Sequence, residues 1–198
     1  MTSASDLLPT EAFSHIRIVV GMIVGLCISR LLTGIARLVQ HPRKSELYLV
    51  HLMWITFTLL TVVHFWWFEF SLRMSSIWSF GVYVFVLFYA SLHFILSTFL
   101  VPDNGREYTE YRDYFISARK YFFGFLAAFY VADLLDTLLK GWQHFRNLGL
   151  EYPLQIAIFV LLSLYASHTE RRSFHAIFAA GALLYQVSFV ARKFAVLA

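Results

Sequence analysis

The chain has 198 residues, of which 59% are apolar and only 14% are charged. A soluble globular domain carries about a quarter charged residues, so this composition excludes that class of protein. The longest segment outside the apolar stretches, residues 101–118, is too short to form a core of its own. We therefore attribute the net charge of +4 to membrane topology and lipid contact, and expect no nucleic-acid surface.

The apolar residues gather into segments near the roughly 20 residues that an α-helix needs to cross a bilayer core of about 30 Å. This length excludes the shorter, alternating strands of a transmembrane barrel. The predicted spans are residues 13–38, 47–69, 76–100, 119–140, 152–168 and 173–194. Residues 1–198 thus form a single all-α domain, an integral membrane bundle of about six transmembrane helices. The first span lacks a basic leader and a small-residue cleavage site, so we expect it to be retained.

A further, shorter helix is predicted before the fourth span. The segment from residue 101 opens with a proline and an Asn-Gly pair, which indicate a turn. Tyr108, Tyr111 and Phe115 then fall at i, i+3 and i+7 beside a charged face. This pattern is typical of a helix lying in the membrane interface.

Lysine and arginine are retained in short cytoplasmic loops, so their distribution predicts the orientation. The loops after spans one, three and five hold Arg37, Arg43, Lys44, Arg106, Arg112, Arg119, Lys120, Arg171 and Arg172. The opposite face holds Arg17, Arg73, Lys140, Arg146, Arg192 and Lys193. The excess on the first face predicts that it is inside, with both termini outside, in a plasma (inner) membrane.

The first span carries a row of small residues at four-residue spacing, which lets another helix backbone approach closely. The row consists of Gly21, Gly25, Ser29 and Thr33. It packs either against a neighbouring helix of the same chain or against a second copy. The second alternative predicts a homo-oligomer that assembles through Gly21, Gly25 and Ser29 within the lipid bilayer.

Charged residues lie inside the apolar stretches: Arg30 in the first span, and Asp133 and Asp136 in the fourth. A charge in hydrocarbon is costly, so each needs a partner or a water-filled cavity. Helical rise places Arg30 about 12 Å from the inner end of its span and Asp133 about 20 Å from the inner end of the fourth. This difference in depth disfavours a direct pair between them.

Four polar residues of the fourth span follow one another at spacings of three, three and four, so they share one helical face. They are Tyr130, Asp133, Asp136 and Lys140. Asp136 and Lys140 have the i, i+4 spacing of an ion pair, which leaves Asp133 as the deeper acid. The same outer level holds His64, Glu69, Gln186 and Arg192.

Intramembrane acids and histidines line proton and ion routes in pumps, transporters and channels. We therefore expect a small membrane protein that conducts or transports protons or small ions. The predicted pathway residues are Arg30, His64, Glu69, Asp133 and Asp136. In this hypothesis Arg30 is a deep electrostatic gate, and the other residues line an outer vestibule.

Two alternatives remain open. Paired histidines on facing helices can hold b-type haem, with His15 and His64 at the outer level and His51 and His93 at the inner level. Against haem, His51 and His64 point about 220° apart around one helix. The other alternative is a scaffold or sensor without enzymatic activity, in which the buried charges are paired struts between helices.

Enzyme chemistry has little support. No zinc-protease, phosphate-binding or serine-hydrolase motif occurs, and no carbonyl-lined potassium filter. The single cysteine, Cys27, excludes an internal disulfide and a cysteine-based metal cluster. We expect it to be a small packing residue.

Overall fold

The computed structural model describes residues 4–40, 49–69, 79–101 and 111–193. Over these ranges the chain forms seven α-helices and no strand, which confirms the predicted all-α fold. The helices are α1 Ala4–Gln40, α2 Leu49–Phe68, α3 Phe80–Leu100, α4 Tyr111–Leu139, α5 Trp142–Asn147, α6 Glu151–His168 and α7 Arg172–Lys193.

Five helical segments are long and apolar enough to cross a bilayer, as expected of a membrane-embedded protein. They are Ser14–Arg37, Leu49–Phe68, Phe80–Leu100, Asp113–Leu139 and Arg172–Arg192. Helices suit lipid because all their backbone hydrogen bonds are made within the segment. The predicted sixth span coincides with α6, which is helical but is not among these five.

The helices pack in an order that differs from their order in the chain. α4 packs along α6 and α3, α1 packs on α3 and α2, and α2 packs on α7. The backbones of the consecutive helices α6 and α7 lie apart, and these two helices meet mainly through long side chains. They therefore leave a groove between them on the outside of the bundle.

Aromatic rings fill the centre of the bundle. Trp54 of α2 is fully buried, and its ring lies 5.1–5.4 Å from four phenylalanine rings in edge-on geometry. These are Phe57, Phe122, Phe123 and Phe178. Edge-on packing of this kind is favoured by the quadrupoles of the rings. It joins α2, α4 and α7 in a core without charged groups.

The first helix approaches the end of α3 closely at Gly34. A Cβ atom at this position would lie 2.6 Å from a methyl group of Val101. Val101 itself is extended, as expected of a residue that precedes a proline. Its carbonyl oxygen accepts a hydrogen bond of 2.8 Å from Arg30, so one guanidinium caps the end of a neighbouring helix.

The small residues of α1 do not all face the same surroundings. Gly21 lies against the ring of Trp66, 3.2 Å from the position of its missing Cβ, whereas nothing lies within 4 Å of Gly25. Ser29 and Thr33 are also exposed. The first glycine therefore packs inside the chain, and the other three residues remain on its surface.

The segment expected to form an interfacial helix is only partly described. Tyr108 lies outside the described residues, and the residues from 111 onward form the first turns of α4, continuous with its span. The short helix α5 was not expected from the sequence. Gly141 and Gly149 bracket it with φ values of 113° and 75°, which side chains rarely adopt. They allow α5 to fold back onto the end of the bundle.

We expect Gly34→Ala to destabilise the protein, because the added methyl group must push Val101 aside and overpacking costs about 1–3 kcal/mol. Gly124→Ala, at an exposed glycine of α4, is the matched control: its Cβ meets nothing within 4 Å, and the change should be neutral or stabilising. Thermal unfolding in detergent measures both. Equal melting temperatures for the two variants would contradict the close approach of α1 to α3.

Candidate functional site

The candidate site lies where the transmembrane segments of α2 and α4 end. Glu69 directly follows the span of α2, and Lys140 directly follows that of α4. The Lys140 Nζ atom lies 2.9 Å from Glu69 Oε1 and also contacts the carboxylate of Asp136. The exposed fraction of the side chain is 1% for Lys140, 8% for Glu69 and 0% for Asp136. One buried ammonium thus binds two carboxyl groups and joins α2 to α4.

The end of α4 holds this ammonium in place. The backbone N–H of Lys140 bonds to the Asp136 carbonyl, and Gly141 then turns the chain. A cation at the C-terminus of a helix is stabilised by the helix dipole. The Nζ atom also lies 4.0 Å from the centroid of the Phe68 ring, a favourable cation–π distance.

Asp133 lies one turn deeper on the same face of α4. Its two carboxyl oxygens accept hydrogen bonds from Tyr89 of α3, at 2.7 Å, and from Tyr152 of α6, at 2.8 Å. The Tyr152 hydroxyl also lies 2.7 Å from the hydroxyl of Thr137. Asp133 therefore joins three helices through hydroxyl groups rather than through a cation.

A small cavity of about 30 Å³ opens beside Asp133. Such a volume has room for about two water molecules. Its polar lining consists of Thr61, His64, Tyr89, Tyr130, Asp133, Tyr152, Gln155 and Gln186. Within it, the Gln186 amide nitrogen lies 3.3 Å from His64 Nδ1. These polar groups lie among phenylalanine and leucine side chains, so the cavity offers hydrogen-bond partners to a water molecule in an otherwise apolar wall.

The short helix α5 covers the site at the end of the bundle. The ring of His144 packs against Phe68 at 5.2 Å between centroids, and Phe145 packs against Tyr152 at 6.1 Å. Leu148, just after α5, is buried and lines the cavity. Burial and the nearby Lys140 charge lower the pKa of His144. A neutral imidazole therefore adjoins the ammonium.

The carboxyl groups around Lys140 are not fully satisfied. Glu69 Oε2 and Asp136 Oδ1 are buried and make no hydrogen bond with any described residue. Burial raises the pKa of Glu69 to about 7, and the Asp136 charge adds to this against the opposing effect of Lys140. Burial lowers the pKa of Lys140, but Asp136 and Glu69 more than offset this and raise it. The cluster therefore holds a permanent cation beside an acid that exchanges a proton near neutral pH.

The structure brings together most of the predicted outer residues. Glu69, Asp136 and Lys140 form one ion cluster, while Asp133 and His64 line the adjoining cavity. Arg30 is not among them. It binds the Val101 carbonyl, about 18 Å along α3 from the level of Tyr89 by helical rise.

Sequence reasoning missed a stripe of polar residues on α3. Tyr89, His93 and Ser97 follow one another at spacings of four and are all buried. The same spacing continues to Val101, whose carbonyl binds Arg30. The i, i+4 pattern in the sequence was the signal that could have revealed this stripe, because it places all four residues on one helical face.

The candidate haem histidines have separate surroundings. His93 donates through Nδ1 to the Tyr89 carbonyl at 3.2 Å, and its buried Nε2 has no hydrogen-bond partner among the described residues. His51 packs against Tyr114 and Phe115, and His15 is exposed. Across the described ranges, no three His, Cys, Asp or Glu side chains are grouped as a metal site.

Comparisons with protein-family models, with curated proteins and with solved structures return no match to this chain. The residues of the site are therefore the support for its function.

Glu69→Gln should alter how stability depends on pH. In the parent, the pKa of Glu69 is about 7 in the folded state and near 4.5 when unfolded. The folded state therefore binds the proton more tightly than the unfolded state does. The parent loses this contribution as pH rises from about 4.5 to about 7. The melting temperature of Glu69→Gln relative to the parent should therefore rise across that window and then level off.

Asp113→Asn, which replaces an exposed carboxyl at the start of α4, is the matched control for exchanging a carboxyl for an amide. A difference between Glu69→Gln and the parent that stays constant with pH, or that falls across the window, would contradict a raised pKa for Glu69.

Proposed function

We propose that this protein moves protons across the membrane, with small ions as the broader class of cargo. The observation that supports this most strongly is the cluster of buried carboxyl groups that share Lys140. Glu69 and Asp136 both contact this one ammonium, and Asp133 lies one turn away on α4, so the nearby acids outnumber the single cation. Burying that excess is costly, and binding a proton removes it.

The dimensions of the site favour protons over larger ions. The cavity beside Asp133 holds about two water molecules, and its polar lining is rich in hydroxyl groups. A hydrated ion needs a wider path and a ring of oxygen ligands. Protons pass along hydrogen bonds between acids, hydroxyl groups and water.

The α3 stripe supplies a route inward from Asp133. Tyr89 donates to Asp133, and His93 lies one turn further along α3 with Nε2 available. Ser97 follows after one more turn, and the Val101 carbonyl completes the stripe. Its steps are about 6 Å along the helix axis, which is a spacing that single water molecules can bridge.

Arg30 lies at the far end of the α3 stripe, where a positive charge would control the passage of protons. Its guanidinium is part-buried and binds the Val101 carbonyl, and an arginine is effectively always protonated. A fixed positive charge beside a narrow path repels cations and protons. We propose that Arg30 is the electrostatic gate and that its movement away from Val101 opens the path.

The proposed topology has six spans in a plasma (inner) membrane, with both termini outside. α6 is the sixth span: its 18 residues extend about 27 Å, and it packs along α4. Glu69 and Lys140 then lie at the outer boundary, where α5 covers them. We also propose that the chain lies in the membrane interface just before the α4 span, which begins at Asp113.

The exposed small residues of α1 support a homo-oligomer. Gly25, Ser29 and Thr33 are exposed, and small residues in a row are the usual contact between transmembrane helices. Gly21, which the sequence also placed in this contact, instead packs inside the chain against Trp66. We propose that the subunits meet along this face of α1.

Asp133→Asn should reduce proton flux in proteoliposomes under a pH gradient by at least tenfold, because a positioned acid contributes about 10² or more to proton transfer. The amide oxygen can accept from one of the two tyrosines and the amide N–H can donate to the hydroxyl oxygen of the other, so folding should be retained. Asp113→Asn, at the exposed start of α4, is the matched control and should conduct as the parent does.

Unchanged flux in Asp133→Asn would remove this acid from the mechanism. No flux in the parent, with several ions and both gradient directions, would contradict transport and leave the scaffold or sensor alternative, in which the charges are struts.

Haem b remains a second proposal because of His93, whose buried Nε2 has no hydrogen-bond partner among the described residues. A haem would need space between this atom and a second histidine such as His64. The polar cavity that His64 lines is about 30 Å³, against roughly 300 Å³ for small-molecule pockets. A Soret band in the purified protein would establish haem, and the helices around His93 would then have to separate.

A further inference from the structure

A groove between α6 and α7 lies outside the site of the proposed function. Its volume is about 340 Å³, within the range of small-molecule sites. Isoleucine and leucine side chains line it together with the rings of Phe159, Phe174, Phe178 and Tyr185. Ile177 at its edge is 73% exposed. In a membrane-embedded bundle, such a groove opens sideways to the lipid.

One end of the groove is polar and electrically balanced. Glu151, at the start of α6, pairs with Arg192 of α7 through two contacts of 2.6 and 3.0 Å. The Tyr185 hydroxyl donates to Glu151 at 3.0 Å and lies 3.1 Å from the Gln155 oxygen. Because these charges cancel, a charged headgroup gains little here, whereas an uncharged polar headgroup is accommodated.

Gln155 supplies the hydrogen bond that such a headgroup needs. It is 9% exposed and lines the groove. Its amide oxygen accepts from Tyr185, but its amide nitrogen has no hydrogen-bond partner among the described residues. An N–H donor without a protein partner at the wall of an apolar groove favours a ligand that carries a carbonyl oxygen.

The rings around the groove favour a flat headgroup. Phe159 lies 5.9 Å from Tyr185 and 6.0 Å from Phe178, measured between ring centroids. A planar carbonyl compound stacks on such rings, whereas a flexible acyl chain gains no comparable geometry. Isoleucine and leucine side chains beyond them suit a branched hydrocarbon tail.

We propose that the α6–α7 groove binds an isoprenoid quinone, with a ring carbonyl accepting from Gln155 and the ring packed among Phe159, Phe178 and Tyr185. Gln155 also lines the polar cavity beside Asp133, so the bound headgroup adjoins the acids of the site. This binding does not depend on proton transport, because it rests on the groove alone.

Binding of decylubiquinone is measured by native mass spectrometry of the purified full chain in nanodiscs. The parent should retain the quinone saturably and in preference to a monoacylglycerol and a fatty acid of matched chain length. Gln155→Leu should weaken binding about tenfold, because the ring carbonyl loses its donor.

Two variants fill the groove without removing the donor. Gly181→Leu places a side chain on its floor, and Ile177→Trp covers it from the lipid side, where the parent residue is exposed. Both should abolish quinone retention. Gly124→Leu, at an exposed glycine of α4 with nothing within 4 Å, is the matched control and should bind as the parent does.

Equal retention of the monoacylglycerol or the fatty acid would overturn the quinone assignment. Retention by both Gly181→Leu and Ile177→Trp would overturn the location. A dimer that dissociates on Ile177→Trp would assign the groove to a second copy of the chain. Loss of quinone binding with normal proton flux, or the reverse, separates this proposal from the proposed function.

Discussion

The ion cluster around Lys140 is the interaction on which the polar end of the structure depends. Its ammonium holds Glu69 of α2 and Asp136 of α4, and it also lies over the ring of Phe68. Removing the lysine would leave two buried carboxyl groups without their cation, which costs several kcal/mol for a buried pair. The same cation cannot balance every nearby acid, and this imbalance gives the cluster its capacity to bind a proton.

The Lys140 cluster, at one end of the bundle, is distinct from the aromatic core at its centre. The rings around Trp54 close the middle between α2, α4 and α7, where no water or charge is accommodated. The buried polar residues instead follow α3, from Tyr89 through His93 to Ser97. The buried polar stripe and the aromatic core thus lie on different helices: α3 carries the stripe, and the aromatic core joins α2, α4 and α7.

Part of the site followed from the sequence because it depends on spacing within one helix. The pairing of Asp136 with Lys140 needs only the i, i+4 geometry of α4, and the outer level of Glu69 follows from counting residues along α2. The partners of Asp133 could not be predicted in this way. Tyr89 and Tyr152 belong to α3 and α6, and which helices are neighbours depends on packing over the whole bundle.

Counting residues along a single helix also does not predict what surrounds a side chain at that depth. Counting along α1 places Arg30 well inside its own span, yet α1 extends to Gln40, beyond the level at which α3 ends. Arg30 therefore meets the last carbonyl of α3 rather than the hydrocarbon centre. Similarly, the glycines that turn the chain at α5 are visible in the sequence, but their positive φ values are set by how α5 covers the cluster.

Infrared difference spectroscopy across pH 7 tests the central claim most directly, because a protonated carboxyl group has a C=O stretch that a carboxylate lacks. The parent should show this band below the pKa of Glu69, about 7, and lose it above. Glu69→Gln should lack that change, whereas Asp113→Asn should retain it. A spectrum without a titrating carboxyl band, or one unchanged in Glu69→Gln, would contradict a proton held in the Lys140 cluster.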